Sequence, residues 1–288
     1  MSQRSACRAL GQPRSTQRYG AQRRNGEEEL RRAMRELALR NPRYGYRRIA
    51  VLLAREGWHV NGKRVLRLWR REGLKVQKKQ LKRGRIVDGS SDNACHRRRA
   101  EKVNHVWGFD FCHDRTADGR PLKIFSVIDE YTRRCLLIEA RRRITGPDVV
   151  RMLDALTVLY GVPEHLRCDN GPEFVCSAVK GWAGRAGVST LYVAPGSPWE
   201  NAYAESYHAR LRDELLDREE FGSLTEARVL LEDWHGQYNQ ERPHSALGYK
   251  TPAEFAAACA AAGRAGPCSA TLRRVRHDEE KVAESVAQ

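Results

Sequence analysis

Three carboxylates stand where a carboxylate can do chemistry. Asp110 lies in the middle of HVWGFDFCHD, among Trp107, Phe109 and Phe111. A charge in an apolar strand is costly unless a partner or a site offsets it. Asp169 closes the short run HLRCD and is followed by NGPEF, a turn that opens the strand end, and such ends are where ligands of open α/β sheets sit. Glu205 falls in SPWENAYAESYHARLRDELLD, a loop of turn residues running into a helix; taken alone it is an ordinary helix-surface charge. Two aspartates and a glutamate, without the paired Cys and His spacing of a zinc site, are hard oxygen donors suited to Mg²⁺ or Mn²⁺. Two such ions can stabilise both the attacking and the leaving oxygen of an in-line phosphoryl displacement. Other acids compete for the first position. Asp114 and Asp118 sit in the turn-forming HDRTADGR, and Asp129 reads as a strand cap or a partner of Arg133. His113 and His208 read first as surface or packing residues, and Arg242 and His244 as anchors of a Pro/Gly-rich wrap.

The elements that must position these residues follow from the apolar periods. HVWGFDFCHD, PLKIFSVIDE and RRCLLIEA are separated by turn chemistry, which predicts an antiparallel meander. A helix is expected from Gly146 to Tyr160 with Val149, Leu153, Leu156 and Leu159 as its buried stripe. HLRCD is a fourth strand, PEFVCSAVKGWAGRAG a helix and STLYVA a fifth strand, an α/β layout with helices packed on a mixed sheet. SLTEARVLLEDWHGQYNQ adds an amphipathic helix before the ERPHSALGYKTPAEF wrap. In the stretch around Glu205, Tyr203, Tyr207, Leu211 and Leu215 form one stripe at helical spacing, expected to pack on the domain. Asn201, Glu205, His208 and Arg212 form the opposite line, which on composition alone is a solvated face. A loop through Glu200 with Asn201 as the helix cap is preferred to a capping box starting at Ser197.

The first third of the chain differs in kind. Residues 1–104 carry 29 Lys and Arg against 9 Asp and Glu, whereas the remainder carries 23 against 27. A basic module of that density fits a nucleic-acid partner, because Lys and Arg displace condensed counterions from phosphates. Residues 1–25 have no apolar period and read as a basic flexible tail. Three helices follow, with inner faces Leu30, Met34 and Leu37, then Ile49, Leu52 and Leu53, then Val65, Leu68 and Trp69. Asn61 caps the third, whose Lys63, Arg64, Arg67 and Arg71 are the expected DNA contacts of a helix-turn-helix. The expected organisation is a small all-α module over 26–80, a basic linker over 81–102, a catalytic core over 103–220, a completing helix and wrap over 221–256, and a tail over 257–288. No apolar run reaches the length of a membrane span. The eight scattered cysteines read as reduced thiols of a cytoplasmic protein.

WGFDF, RCDNGPEF and SPWENAYAESYHARLRDELL, followed by ERPHSALGYKTPAEF, closely resemble bacterial insertion-sequence transposases of the two-reading-frame group, which are related to retroviral integrases. Thirty-five residues separate Asp169 from Glu205, the spacing that family shows between its second aspartate and its glutamate. The resemblance runs from about Arg43 to Phe255 and identifies the chain with the downstream-frame (OrfB-type) product. It implies an RNase H-like fold with a mixed five-stranded sheet, in which Asp110, Asp169 and Glu205 bind two Mg²⁺ (or Mn²⁺) ions. It also implies cleavage at transposon ends and attack by the freed 3′-hydroxyl on another phosphodiester. The implied partners are double-stranded DNA, both terminal inverted repeats and target, an upstream-frame product joined by frameshifting, and further copies of the chain on DNA at the nucleoid. Under the resemblance, the line Asn201, Glu205, His208 and Arg212 becomes the face turned toward DNA. Ala202 departs from the glycine that many relatives carry in this loop. Two alternatives stay open: a non-catalytic DNA-binding regulator, and a nuclease of the same fold that hydrolyses without joining.

Overall fold

The order of the strands follows from which runs can pair through short turns and which need a crossover. The computed structural model describes residues 2–18, 26–76, 98–169, 177–192 and 201–262. Two units make up the chain, residues 1–78 and 79–288. In the second, β1 (Val106–Arg115), β2 (Pro121–Asp129) and β3 (Cys135–Arg141) form the antiparallel meander, and β4 (His165–Cys168) and β5 (Ser189–Tyr192) add in parallel, in the order β3-β2-β1-β4-β5.

Alternation along β1 and β2 divides the core into two faces. Trp107, Phe109, Phe125 and Val127 pack with α6 (Gly146–Tyr160) and α7 (Ser177–Ala186). Cys112, Ile124 and Ile128, with Ile138 of β3, pack with α8 (Ala202–Leu211) and α9 (Leu224–Gln240) on the other face. In α6 the buried set is Val149, Met152, Leu153 and Leu156, and Leu159 is 72% exposed. Ten residues at about 100° each turn Leu159 roughly 80° away from Val149, so the expected stripe drifts off the sheet. Thr145 and Asp148 close a capping box at the start of α6.

The free edge of β3 is covered by side chains of α9. The Cys135 N–H donates to Asn239 Oδ1 at 3.0 Å, Asn239 Nδ2 donates back to the Cys135 carbonyl at 2.8 Å, and Arg228 Nε donates to the Ala140 carbonyl at 2.9 Å. An edge satisfied in this way no longer offers a template for another strand. Behind α8, Tyr207 packs edge-on against Trp234 and Tyr238, with ring centroids 5.3 and 4.9 Å away. The wrap is anchored as expected: the buried Arg242 guanidinium donates from Nε to both carboxylate oxygens of Glu214 at 3.1 and 3.0 Å. α10 (Pro252–Ala261) then begins at a Thr251–Glu254 capping box and carries helix past residue 256.

In the first unit, α3 (Glu27–Arg40), α4 (Tyr46–Arg55) and α5 (Gly62–Arg71) enclose a core of Leu30, Met34, Leu37, Ile49, Leu53, Val65, Leu68 and Trp69. Gly57 and Gly73, at φ +88° and +66°, end α4 and α5 in the left-handed region that glycine reaches without strain. The expected tail is partly helical: α1 (Gln3–Ala9), with Ser2 Oγ accepting the Ser5 N–H, and α2 (Arg14–Arg18). Ser2 supplies a cap and the following residues have fair helix propensity, a signal that an apolar period does not register. Of the expected linker and C-terminal tail, residues 81–97 and 263–288 lie outside the described residues.

Candidate active site

β1 and β4 bring the two aspartates together. Gly108 is level with Arg167 in this parallel pair, β1 carries Asp110 two residues further on, and Asp169 follows directly on the last residue of β4, Cys168. Asp110 is 20% exposed at its side chain, and its Oδ1 accepts the Phe111 N–H at 2.7 Å. Glu205 comes from the first turn of α8, the helix that lies against β1. Partial loss of solvent, and then the negative charge of Asp110, raise the Glu205 carboxyl above its ordinary value, with His208 opposing. Burial, and then the charges of Asp169 and Asp110, push the Cys168 thiol up to about 12. The three carboxylates therefore share one end of the β1–β4 pair. Mutual repulsion among oxygen donors is relieved by a hard divalent cation, so the donor set fits Mg²⁺ or Mn²⁺.

Of the line Asn201, Glu205, His208 and Arg212, expected as a DNA-facing row, Glu205 and Arg212 are exposed, while Asn201 and His208 turn inward. Asn201 is only 4% exposed, and its Oδ1 has no hydrogen-bond partner among the described residues. It stands at the start of α8 but makes no side-chain cap bond. His208 turns onto the sheet, with Nε2 2.8 Å from Ser126 Oγ and Nδ1 3.4 Å from Asp110 Oδ2. Arg212, in a π-helical turn over Arg212–Leu216, donates from Nη2 to the His113 carbonyl at 3.3 Å and lies as close to Cys112 Sγ. Ala204, Tyr207 and Leu211 bury one side of α8 against the sheet and α9, and His208 lies at the margin of that contact, over β1 and β2. Tyr203, expected in the buried stripe, is half-buried, with the Arg133 guanidinium 3.4 Å from its ring centre. The end of the expected fifth strand, Val193 and Ala194, and the expected loop from Ser197 through Glu200 lie outside the described residues.

Among the competing acids, Asp129 is buried and accepts from the Thr132 hydroxyl at 2.6 Å, which makes it a turn cap. Asp118 accepts from the Thr116 hydroxyl and from Arg120, and these bonds hold its carboxyl well below the usual range. On α5, Lys63 is exposed and Arg64 half-buried, while Arg67 and Arg71 reach Glu27 of α3 at 2.9 and 3.3 Å. Both arginine side chains stay more than half exposed, so their remaining N–H donors are open to solvent.

Composition did not reveal what lies beneath the site. Arg167 Nε stands 2.9 Å from Glu130 Oε1, both side chains almost fully buried, next to Gly108. Nearby, His105, Glu164 and His165 bring ligand atoms within 4.8 Å of one another. The Glu101 N–H donates to His105 Nδ1 at 3.0 Å, which leaves the proton on Nε2, facing Glu164. Arg98, Arg167 and Lys102 add positive charge around the group. A hydrogen-bonded knot tying β1 to β4 fits these facts better than a cation site. His208 was legible in part, because three residues after Glu205 it must share that face of a helix.

The integrase core domain family matches residues 100–198, a second integrase core domain family 186–252, and the HTH-like domain family 25–82. A 31.7 kDa protein of insertion element IS407 from Burkholderia multivorans is 38% identical over 257 residues, covering 89% of this chain and 91% of that one. Transposase InsD of insertion element IS2 from Escherichia coli is 30% identical over 230 residues, covering 74% and 73%. Among solved structures, the integrase catalytic core domain of HTLV-2 in complex with magnesium aligns with 54% of this chain and 97% of its own, at 18% identity and a TM-score of 0.42.

Proposed function

Because the chain belongs to the insertion-element transposases that carry an integrase core, we propose that Asp110, Asp169 and Glu205 are the carboxylates at which this protein cuts and joins DNA. The observation that supports the reading is that Asp110 lies in β1, Asp169 directly follows the neighbouring β4, and Glu205 stands in the first turn of the helix lying against β1. That helix is backed by Tyr207 on Trp234 and Tyr238. A bound pair of Mg²⁺ or Mn²⁺ ions would supply stabilisation of the attacking and leaving oxygens. The chain's own part is to hold the carboxylates at a spacing that does not depend on loop closure alone, and to seat a phosphodiester beside them. Double-stranded DNA is the substrate class, the terminal repeats being recognised through the helix-turn-helix-like unit. Assembly of several copies on DNA, and fusion to an upstream-frame product, belong to the same reading.

The test uses the full chain, Mg²⁺ and a labelled inverted-repeat end, scoring both cut and joined products. Asp110→Asn should lower both by roughly 100-fold or more, with end binding kept. Retention of strand transfer in Asp110→Asn would remove the assignment, and cut products without joined ones would favour hydrolysis alone.

A further inference from the structure

We infer that His208 is a positioning residue for Asp110, an inference that rests on Asp110 serving as a metal-binding carboxylate. Asp110 and Ser126 are direct cross-strand partners in the β1–β2 register, so their side chains leave the sheet on the same face. His208 lies over both. Its Nε2 is 2.8 Å from Ser126 Oγ and its Nδ1 is 3.4 Å from Asp110 Oδ2. Ser126 is fully buried and the His208 side chain is 11% exposed, so the imidazole has little room to swing.

The arrangement answers a need of the site. The carboxylate torsion of an aspartate is broad and two-fold, and Glu205 close by repels Asp110 in any orientation that points the two together. Oδ1 is tethered by the Phe111 N–H at 2.7 Å. Without a second tether the group would turn about that one bond. When the Ser126 hydroxyl donates to Nε2, the imidazole proton stays on Nδ1 and faces Oδ2. Ser126, His208 and Asp110 then form a chain that starts on β2, crosses α8 and ends on β1. Groups that orient a metal-binding side chain in this way typically change metal affinity about 10- to 100-fold when removed. The 3.4 Å separation is of the kind that tightens once the site is loaded.

The two amide side chains separate this role from simple packing. Asparagine places its amide nitrogen near where Nδ1 stands and retains a donor to Asp110. Glutamine reaches the position of Nε2 and retains only the Ser126 contact. The experiment is Mn²⁺ titration calorimetry on the full-length protein, with thermal melting of the metal-free form and end cleavage measured in parallel. His208→Ala should weaken Mn²⁺ binding about 10- to 100-fold, His208→Asn should restore most of it, and His208→Gln should not. Unchanged Mn²⁺ affinity in His208→Ala, failure of His208→Asn to restore it, or restoration by His208→Gln would each overturn the inference. If His208→Ala fails to fold, the Asn and Gln pair decides. Asp110→Asn is the control for the underlying reading. Should it still bind Mn²⁺ as the parent does, the assignment of Asp110 itself falls; should it lose Mn²⁺ while His208→Ala does not, only the positioning role falls.

Discussion

Gly108 has the least tolerance of any residue near the carboxylates. It shares a face of β1 with Asp110, and a Cβ there would stand 3.3 Å from Glu130 Oε1 and 3.7 Å from Asn201 Oδ1. Both neighbours are buried, Glu130 in its ion pair with Arg167 and Asn201 at the start of the helix that carries Glu205. Gly108→Ala should therefore cost about 1–3 kcal/mol by overpacking against the Glu130 carboxylate and disturb its ion pair with Arg167 beneath the site. Chemical denaturation together with end cleavage would check it: stability and cutting should both fall while end binding holds, and a variant neutral in both would show the contact to be slack. Asp110 and Asp169 stand out in the sequence as charges within or at the end of apolar runs, whereas Glu205 is an ordinary helix-surface charge until its spacing from Asp169 and the family resemblance single it out. The groups around them were not legible, since Ser126, Glu130 and Arg167 are ordinary strand residues until register brings them under the site.

At the scale of elements, α6 offers a clean case of charge linked to stability. Hydrogen bonds from the Thr145 hydroxyl and N–H, helped by Arg151, hold the Asp148 carboxyl at about 2, below its ordinary 3.8. A carboxyl lowered by folding stabilises the protein fully above its unfolded value and loses that contribution as pH falls through the folded one. Asp148→Ala should cost about 1 kcal/mol at neutral pH, and the gap between its melting temperature and that of the parent should close as pH is taken from 5 toward 2. A gap constant over that range would mean that the box acts without its charge. The strands and long helices were readable here because alternation and helical spacing directly encode which face is buried. Tyr203, Asn201 and His208 were assigned from the geometry of one helix, while their surroundings are set by neighbouring elements; Leu159 instead leaves the buried stripe through the drift of helical spacing itself.

On the scale of the whole molecule, the catalytic unit depends on parts remote from its carboxylates. α9 covers the β3 edge and backs α8 through Trp234 and Tyr238, and Arg242 ties the wrap to Glu214. A chain ending at Gly222 keeps all three carboxylates but loses these supports and bares the core residues that α9 covers, Tyr207 and Leu211 among them. It should neither bind Mn²⁺ nor remain monodisperse, as calorimetry and light scattering would show; a well-behaved, Mn²⁺-binding truncation would contradict the dependence. The backing also sets an order in time. Trp234 and Arg242 lie 29 and 37 residues beyond Glu205. At roughly 5–20 residues per second on the ribosome, the last carboxylate is made a few seconds before the scaffold that fixes it. On the proposed assignment, a nascent chain carries Asp110, Asp169 and Glu205 before the residues that brace them, and a product cut short in that interval is expected to be inert.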